Sequence, residues 1–415
     1  MSEAKSVHPF FSNPGAAAPK VSSGPVQWLP SIGGTCLHGT HLDPPYSSKV
    51  VLFDIDGTLV QPKSGMKHPV DHKDWKWWRP EVVPKLKECH RDGFSVVFLS
   101  NQGKPAGIKD EVKRKAWIEE WKQKITLMAQ DIPDVPFRIF VACGRDLYRK
   151  PMLGTWWELE RLFKESNTTI DKSLSCLVGD AAGRTGDHES TDRKYAINAG
   201  INFYTPEEYF LGHSAKPFTL AGFHPSSLPD LPLYTPANPP LIPPGDSKPP
   251  SEIVLFVGFP SSGKSTFFKR HFKPRGYVQV NQDKLKTKPA CLKAVTEVLK
   301  KKGCCVVDNT NRDNKTRKDY VSLAKKYRVP IRCVWFDVSK ELAFHNNIYR
   351  AFCLAPSTQS AEDKRSFLGQ MIYGSFKSAF EEPQVDEGFS DIKKVNWVFE
   401  GSEEDRQRWE MWLQI

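Results

Sequence analysis

The sequence predicts an α/β protein with two domains, each a doubly wound parallel sheet. Between Lys49 and about residue 211, short apolar runs alternate with segments of helical periodicity, an order that builds parallel sheets. The alternation resumes at Glu252. Between these two stretches lie 11 of the chain's 33 prolines, a density that excludes helix interiors and central strands. We therefore predict domains at 46–215 and 251–415, joined by a proline-rich linker at 216–250.

Composition bounds the class of protein. The 415 residues suffice for two or three separate cores, and the longest apolar runs are too short to span a membrane. Nine cysteines without a C-x-x-C pair indicate free thiols rather than a disulfide framework or a zinc site. The net charge of +11 favours a polyanionic partner without establishing one. Residues 1–45, rich in Pro, Gly, Ser and Ala, predict a flexible tail to which other proteins could bind.

Each domain is predicted from its apolar periodicity and its helix-terminal residues. In the first domain, Thr205-Pro-Glu-Glu208 has the spacing of a capping box for the last helix, and only a loop fits between Leu59 and Trp78. The first domain has predicted strands at 50–53, 94–99, 137–142 and 174–179, and helices at 80–92, 108–130 and 152–165. The second has predicted strands at 252–258, 277–280, 304–308 and 331–336, and helices from 264, at 284–302 and at 313–327.

The stretch VLFDIDGTLV places two carboxylates, Asp54 and Asp56, at the end of the first predicted strand. Alternate residues of a strand point to the same side, so we expect both side chains to face one crevice. Two neighbouring carboxylates repel each other, and Mg²⁺, which prefers oxygen ligands, would resolve that repulsion.

These residues resemble the opening motif D-x-D-G-T of the haloacid dehalogenase superfamily of phosphatases. Ser100 at a strand end, Lys150 in YRKP and Asp180 in LVGD follow in the order of the superfamily's other motifs. The resemblance implies that Asp54 is the nucleophile and forms an aspartyl-phosphate, and that Asp56 is the general acid and base. Ser100 and Asn101 would hold phosphoryl oxygens, Lys150 would neutralise their charge, and Asp180 would complete the metal site.

Two further acidic residues, Asp187 and Asp192, are weaker candidates near this metal site, and Asp192 is better explained as a helix cap. The short loop before Trp78 leaves no room for the lid that small-metabolite phosphatases of the superfamily often carry. An open site favours a phosphate at the end of a polymer.

The stretch GFPSSGKST after the strand at 252–258 matches the phosphate-binding loop G-x-x-x-x-G-K-[ST] in the context that this motif requires. Backbone N–H groups of the loop would hold the phosphates of ATP, Lys264 would reach the β- and γ-phosphates, and Ser265 would bind Mg²⁺. The predicted ATP-binding residues of this stretch are Gly258, Ser262, Gly263, Lys264, Ser265 and Thr266.

A kinase also needs a base for the acceptor hydroxyl and cations for the transferred phosphoryl group. Asp283 follows the second strand of this domain and is the predicted base. Asp308 ends the next strand, where a carboxylate near the metal is expected, and Arg350 is the predicted arginine on the ATP phosphates. Strand-end capping for the two aspartates and a surface ion pair for Arg350 are the alternatives.

The chain is similar to the eukaryotic polynucleotide kinase 3′-phosphatases from about residue 35 to the end, through the ordered set D-x-D-G-T, YRKP, GDAAGR, TPEEYF, GFPSSGKST, NQD, DNTN and HNN-x-x-R. The resemblance implies hydrolysis of 3′-phosphate ends, phosphorylation of 5′-hydroxyl ends by ATP, and a nuclear monomer active in DNA single-strand break repair. Its implied partners are DNA strand-break ends and, through the tail, repair or ligase proteins. Arg184 in GDAAGR is, with Asn101, a predicted contact to the substrate phosphate.

Two departures from the family qualify this expectation. The forkhead-associated domain of vertebrate members does not fit into the first 45 residues. Gln282 precedes the predicted base where some relatives have Arg, and a neutral amide cannot clamp a phosphate as a bidentate cation does. An RNA-repair kinase-phosphatase and a repair scaffold with residual activity remain alternative functions.

Overall fold

The computed structural model describes residues 24–242, 251–356 and 366–415. The chain forms two compact units, Met1–Thr219 and Leu220–Ile415. Both contain a sheet of mostly parallel strands with helices between them, which confirms the predicted fold class. No helix in the described ranges combines the length and apolar character needed to cross a membrane. All nine cysteines are buried free thiols, as predicted.

The first unit is built on a seven-stranded sheet of order β1-β2-β7-β6-β3-β8-β9. Its strands are β1 Val26–Ile32, β2 Cys36–His41, β3 Val50–Asp54, β6 Ser95–Asn101, β7 Phe137–Ala142, β8 Cys176–Val178 and β9 Asn202–Tyr204, with a separate ribbon of β4 Val60–Gln61 and β5 Lys76–Trp77. Its helices are α1 Val82–Arg91, α2 Lys104–Gly107, α3 Glu111–Asp131, α4 Gly154–Glu165, α5 Thr191–Ala199 and α6 Pro206–Leu211. The predicted capping box is present at α6. Strands β7, β6, β3, β8 and β9 pair in parallel, so their carboxyl ends share one edge.

The second unit has a six-stranded sheet of order β10-β15-β14-β11-β13-β12, parallel except for β10. Its strands are β10 Tyr234–Thr235, β11 Ile253–Val257, β12 Val278–Val280, β13 Cys305–Val307, β14 Ile331–Phe336 and β15 Asp391–Val395. Its helices are α7 Lys264–Phe267, α8 Gln282–Leu285, α9 Lys288–Lys300, α10 Asn314–Tyr327, α11 Lys340–Ile348, α12 Gln370–Ser378 and α13 Glu403–Trp409. Alternate residues of β11 enter two different apolar clusters, so both faces of this sheet are covered.

The prediction of a flexible tail over residues 1–45 is wrong for its second half. Strands β1 and β2 form a hairpin, and β2 pairs antiparallel with β7 along the edge of the sheet. Gly33 and Gly34 both have positive φ in the connecting turn, the conformation that tight hairpins require. Residues 1–23, where the predicted partner-binding tail begins, lie outside the described residues.

The predicted linker at 216–250 is also in part a packed segment of the second unit. β10 lies within it and pairs with β15. Lys393 Nζ donates to the carbonyl of Pro236 at 2.8 Å, and Arg332 donates to the carbonyl of Leu241 at 2.7 Å. The prolines are accommodated because this extended segment lies at the edge of the sheet. Residues 243–250 lie outside the described residues.

Candidate active sites

Three carboxylates meet at the carboxyl edge of the first sheet. Asp54 ends β3, Asp180 follows its neighbour β8, and Asp192 lies in the first turn of α5. One oxygen from each lies within 4.8 Å of the other two. An all-oxygen donor set of this kind suits Mg²⁺. These residues could therefore hold a divalent cation, with Asp192 in the place that the sequence suggested for Asp56.

Two glycines make room for this acidic cluster. A Cβ at Gly57, whose φ is +89°, would lie 2.3 Å from Asp180 Oδ2. A Cβ at Gly179 would lie 2.4 Å from Asp192 Oδ2. Any larger residue at either position would displace a carboxylate, so both glycines are part of the site.

Lys150 supplies a buried positive charge to the cluster. Its Nζ lies 2.5 Å from Asp54 Oδ1 and 2.8 Å from Asp192 Oδ1. Burial by itself lowers the pKa of Lys150. The carboxylates of Asp192 and Asp54 raise this pKa by more than burial lowers it, so the ammonium stays charged. Burial also raises the pKa of Asp54 well above its usual range, and burial with repulsion from Asp192 raises that of Asp180 to about 7. One ammonium does not neutralise three carboxylates, and a divalent cation would remove the excess negative charge.

Ser100 and Asn101 end β6 beside the cluster, as the sequence predicted. The Asn101 amide donates to the Lys150 carbonyl at 3.0 Å and accepts from the Lys150 N–H at 2.9 Å. Asn101 therefore fixes the backbone that carries the buried ammonium. Its predicted contact with a substrate phosphate stays a prediction, as does that of Ser100, whose hydroxyl accepts a 2.8 Å hydrogen bond from Gln102.

The structure does not bring the carboxylate of Asp56 into the metal cluster, contrary to the predicted metal-ligand set. β3 ends at Asp54, and Asp56 lies beyond it in a turn, so the alternation of side chains along a strand no longer applies. Asp56 Oδ1 accepts from Lys124 Nζ at 2.5 Å, and Oδ2 accepts from Gln102 Nε2 at 2.8 Å. The two aspartates of the motif thus have different surroundings, since Asp54 is buried and the Asp56 side chain is about half exposed.

Arg184 lies in the loop after Asp180, and its guanidinium binds acidic neighbours. It pairs with Asp187 at 3.0 Å and with Glu207 at 2.7 Å, and it donates to the Asp180 carbonyl at 3.4 Å. These bonds brace the loop that carries Asp180. These bonds all go to groups of the protein and do not test the predicted contact of Arg184 with a substrate phosphate, which stays a prediction.

In the second unit, the phosphate-binding loop connects β11 to α7. Gly258 has φ +150° and Gly263 has φ +90°, so both positions favour glycine. Lys264 is buried, and its Nζ donates to the carbonyls of Gly258, at 3.0 Å, and Phe259. Burial lowers the pKa of Lys264 to about 8. An anion in the loop would stabilise the charged form of this ammonium.

Asp308 connects the loop to the neighbouring strands. Its Oδ2 accepts from Ser265 Oγ at 2.7 Å and from Gln279 Nε2 at 2.7 Å, and Asn281 Nδ2 lies 3.4 Å away. Asp308 is buried at the end of β13, directly beside β11 in the sheet. A serine of the loop and a buried carboxylate are thus held together, which is the arrangement predicted for a metal bound with a nucleotide.

Asp283 and Arg350 lie in different elements of the second unit. Asp283 is exposed in α8, which Asn281 caps, and the N–H of Gln282 donates to Asn309 Oδ1 at 2.7 Å. Arg350 lines a cavity of about 530 Å³ next to the phosphate-binding loop. This cavity is also lined by Ser262, Gly263, Thr266, Tyr349, Trp397, Val398 and Phe399. Its apolar and aromatic wall beside the loop is suited to a nucleotide base.

Comparison with known proteins identifies the family. The model for polynucleotide kinase 3 phosphatase matches residues 49–210, and a model for an AAA domain matches residues 286–367. The bifunctional polynucleotide phosphatase/kinase of Schizosaccharomyces pombe is 40% identical over 368 residues, which cover 89% of this chain and 84% of that protein. The chain belongs to the bifunctional polynucleotide phosphatase/kinase family.

Two further relatives match different lengths of this chain. A putative bifunctional polynucleotide phosphatase/kinase of Acanthamoeba polyphaga mimivirus is 30% identical and covers 87% of each chain. The polynucleotide 3′-phosphatase ZDP of Arabidopsis thaliana is 35% identical over 183 residues, which are 42% of this chain and 25% of that protein.

Sequence reasoning missed several residues of both sites in this phosphatase/kinase. Lys124 and Gln102 bind Asp56, and Gln279 and Asn281 bind Asp308. A signal existed for Lys124, which occupies the apolar face of α3 together with Ile125 and Met128. A lysine on such a face needs a partner of opposite charge.

Proposed function

We propose that this chain prepares broken DNA ends for ligation by removing 3′-phosphates and phosphorylating 5′-hydroxyls with ATP. The observation that carries the proposal is that one chain holds both an acidic cluster with a buried lysine at a D-x-D-G-T strand end and a phosphate-binding loop tied to a buried aspartate. The two sites handle phosphoryl groups in opposite directions. Family membership supports both activities.

In the phosphatase site, Asp54 attacks the 3′-phosphorus through a carboxylate oxygen, and the bond from phosphorus to O3′ breaks. Asp56 gives its proton to O3′. Water then attacks the aspartyl-phosphate while Asp56 takes a proton from it, and Asp54 is released with inorganic phosphate. Lys150 and Ser100 neutralise and bind the phosphoryl oxygens. Asp54, Asp180 and Asp192 would hold Mg²⁺, which supplies further charge neutralisation.

In the kinase site, Asp283 accepts the proton of the 5′-hydroxyl as its oxygen attacks the γ-phosphorus of ATP, and ADP leaves. Backbone N–H groups of the loop and Lys264 bind the phosphates. Arg350, beside the cavity that would take the base, adds positive charge at the phosphates. Ser265 and Asp308 would hold the Mg²⁺ that accompanies ATP.

We further propose that the substrate is DNA, that the protein is a nuclear monomer, and that its N-terminal residues bind repair or ligase proteins. The net charge of +11 supports a nucleic acid of either sugar. Residues 59–78 are all described, and they form the ribbon of β4 and β5 with the loop between them and no lid domain, which supports access for a polymer end. Competition between matched DNA and RNA ends distinguishes the RNA-repair alternative.

The test is incubation with a nicked duplex that carries a 3′-phosphate and a 5′-hydroxyl, each strand labelled separately, with ATP and Mg²⁺. We expect loss of the 3′-phosphate and gain of a 5′-phosphate on the same molecules. No change at either terminus would refute the proposal. A catalytically dead protein that fully restored repair in cells would favour the scaffold alternative.

A further inference from the structure

Helix α3 contains a buried lysine, Lys124. Lys124 lies on the helix face that also buries Trp121, Ile125 and Met128 in the core of the first unit. Its side chain is only 5% exposed. Placing an ammonium on such a face is costly unless a charged partner compensates for it. The partner is Asp56, at 2.5 Å from Lys124 Nζ.

Asp56 is held at both of its oxygens. Lys124 donates to Oδ1, and Gln102 donates to Oδ2 at 2.8 Å. The Asp56 side chain is nevertheless 47% exposed. The carboxylate is therefore open to solvent while two donors fix its direction.

Gln102 also connects Asp56 to the phosphate-binding end of β6. The same Nε2 lies 2.8 Å from Ser100 Oγ. The backbone N–H of Gln102 donates to the Ala142 carbonyl at 2.9 Å, which anchors the residue on the neighbouring strand β7. The general acid and base and a predicted phosphate ligand thus share one donor that is fixed to the sheet.

We propose that Lys124 and Gln102 are positioning residues that hold Asp56 in the orientation needed for proton transfer in both halves of the phosphatase reaction. The proposal rests on the proposed function. In the first half, Asp56 donates a proton to O3′ as the bond from phosphorus to O3′ breaks and the Asp54 oxygen bonds to phosphorus. In the second half, it removes a proton from the water that attacks phosphorus, and Asp54 leaves as a carboxylate.

The test compares two phosphate esters in Lys124→Met, with Lys115→Met as the matched control. Lys115 lies on the same helix and is exposed, paired only with Glu111 at 2.8 Å among the contacts described. An oligonucleotide 3′-phosphate has an alkoxide leaving group that needs a proton, whereas p-nitrophenyl phosphate does not. For Lys124→Met we expect kcat on the oligonucleotide to fall by about 10- to 100-fold, with KM unchanged. This loss does not exceed the rate enhancement that general acid–base catalysis typically supplies.

The second half of the reaction gives a distinct readout. With p-nitrophenyl phosphate, Lys124→Met should release about one nitrophenolate per active site quickly and then turn over slowly, because the aspartyl-phosphate forms but its hydrolysis lacks a positioned base. A purely structural lesion would reduce rapid and steady release together. Gln102→Leu, in which the buried ammonium remains, should show the same burst. If Lys124→Met does not fold, Gln102→Leu tests the proposal in its place.

A double-mutant cycle completes the test. In an Asp56→Asn background, Lys124→Met should cause no further loss, because the lysine acts through Asp56. Multiplied losses, the absence of a burst, or behaviour equal to that of Lys115→Met would overturn the proposal. These results differ from failure of the proposed function, in which the wild-type chain itself would release no phosphate from a 3′-phosphate end.

Discussion

The ammonium of Lys150 lies 2.8 Å from the carboxylate of Asp192, and both side chains are almost completely buried. Lys150 also contacts Asp54 at 2.5 Å, so one ammonium bridges the predicted nucleophile and a second carboxylate of the acidic cluster. The position of Asp54 and the charge of the acidic cluster are therefore coupled through one side chain.

Asp192→Asn should weaken the binding of the divalent cation. Removal of one of three clustered charges leaves Lys150 paired with Asp54, so the fold should persist while the Mg²⁺ concentration for half-maximal phosphatase rate rises by about 10- to 100-fold. Titration of the phosphatase rate with Mg²⁺ measures this, with exposed Asp171→Asn as control. An unchanged Mg²⁺ dependence would exclude Asp192 from the metal site.

Stability should depend on pH through Asp180. Its pKa is raised from 3.8 to about 7 in the folded chain. In the pH window between these two values, the folded state therefore holds a proton that the unfolded state has lost. The free energy of unfolding therefore falls as the pH rises through the window, and bound Mg²⁺ should restore it. The Mg²⁺-dependent increase in Tm should be larger at about pH 8 than at about pH 5. Asp180→Asn should show no such difference between the two pH values. An equal Mg²⁺-dependent increase in the Tm of the unsubstituted protein at both pH values would contradict the prediction.

Lys264→Met should abolish kinase activity and stabilise the second unit. The pKa of Lys264 falls from 10.5 to about 8 because the folded chain buries the ammonium, so below that pH the charge costs stability, and the cost disappears as the pH rises toward 10.5. At pH 7 we expect the free energy of unfolding to rise by on the order of 1 kcal/mol, with phosphatase activity unchanged. Denaturant unfolding checks this against exposed Lys293→Met. A clear loss of stability would show that the hydrogen bonds of Lys264 outweigh its burial.

Gln282→Arg should improve the binding of the 5′-hydroxyl strand. Gln282 is exposed next to Asp283, so an arginine there could reach a backbone phosphate of the acceptor. We expect a lower KM for the oligonucleotide and a slope of log KM against log salt that is larger by about 1, with KM for ATP unchanged. Gln282→Leu should leave the slope as it is. Equal slopes for all three proteins would show that residue 282 does not contact the acceptor strand.

The parts of the sites that lie within contiguous motifs were predictable from the sequence. Asp54 ends the buried strand β3, and Lys264 and Asp308 come after the buried strands β11 and β13. Within each sheet, parallel strands bring their carboxyl ends to one edge whatever the rest of the chain does. Strands β3, β6, β7 and β8 were predicted within about two residues because their apolar runs are unbroken.

The contacts between distant segments were not predictable in the same way. Lys124 is 68 residues from Asp56 in sequence, and only the packing of α3 brings them together. Strand alternation predicted the Asp56 carboxylate beside Asp54, but β3 ends at Asp54, two residues before Asp56, and the acidic cluster contains Asp192 instead. The β1–β2 hairpin was missed because Gly33 and Gly34, which form its turn, also occur in flexible segments.

The most direct test of two separate phosphoryl-transfer sites is a crossed pair of variants on the doubly damaged nicked duplex. Asp54→Asn should leave the 3′-phosphate in place and still phosphorylate the 5′ end, and Lys264→Ala should do the reverse. Loss of both activities in either folded variant would contradict the account.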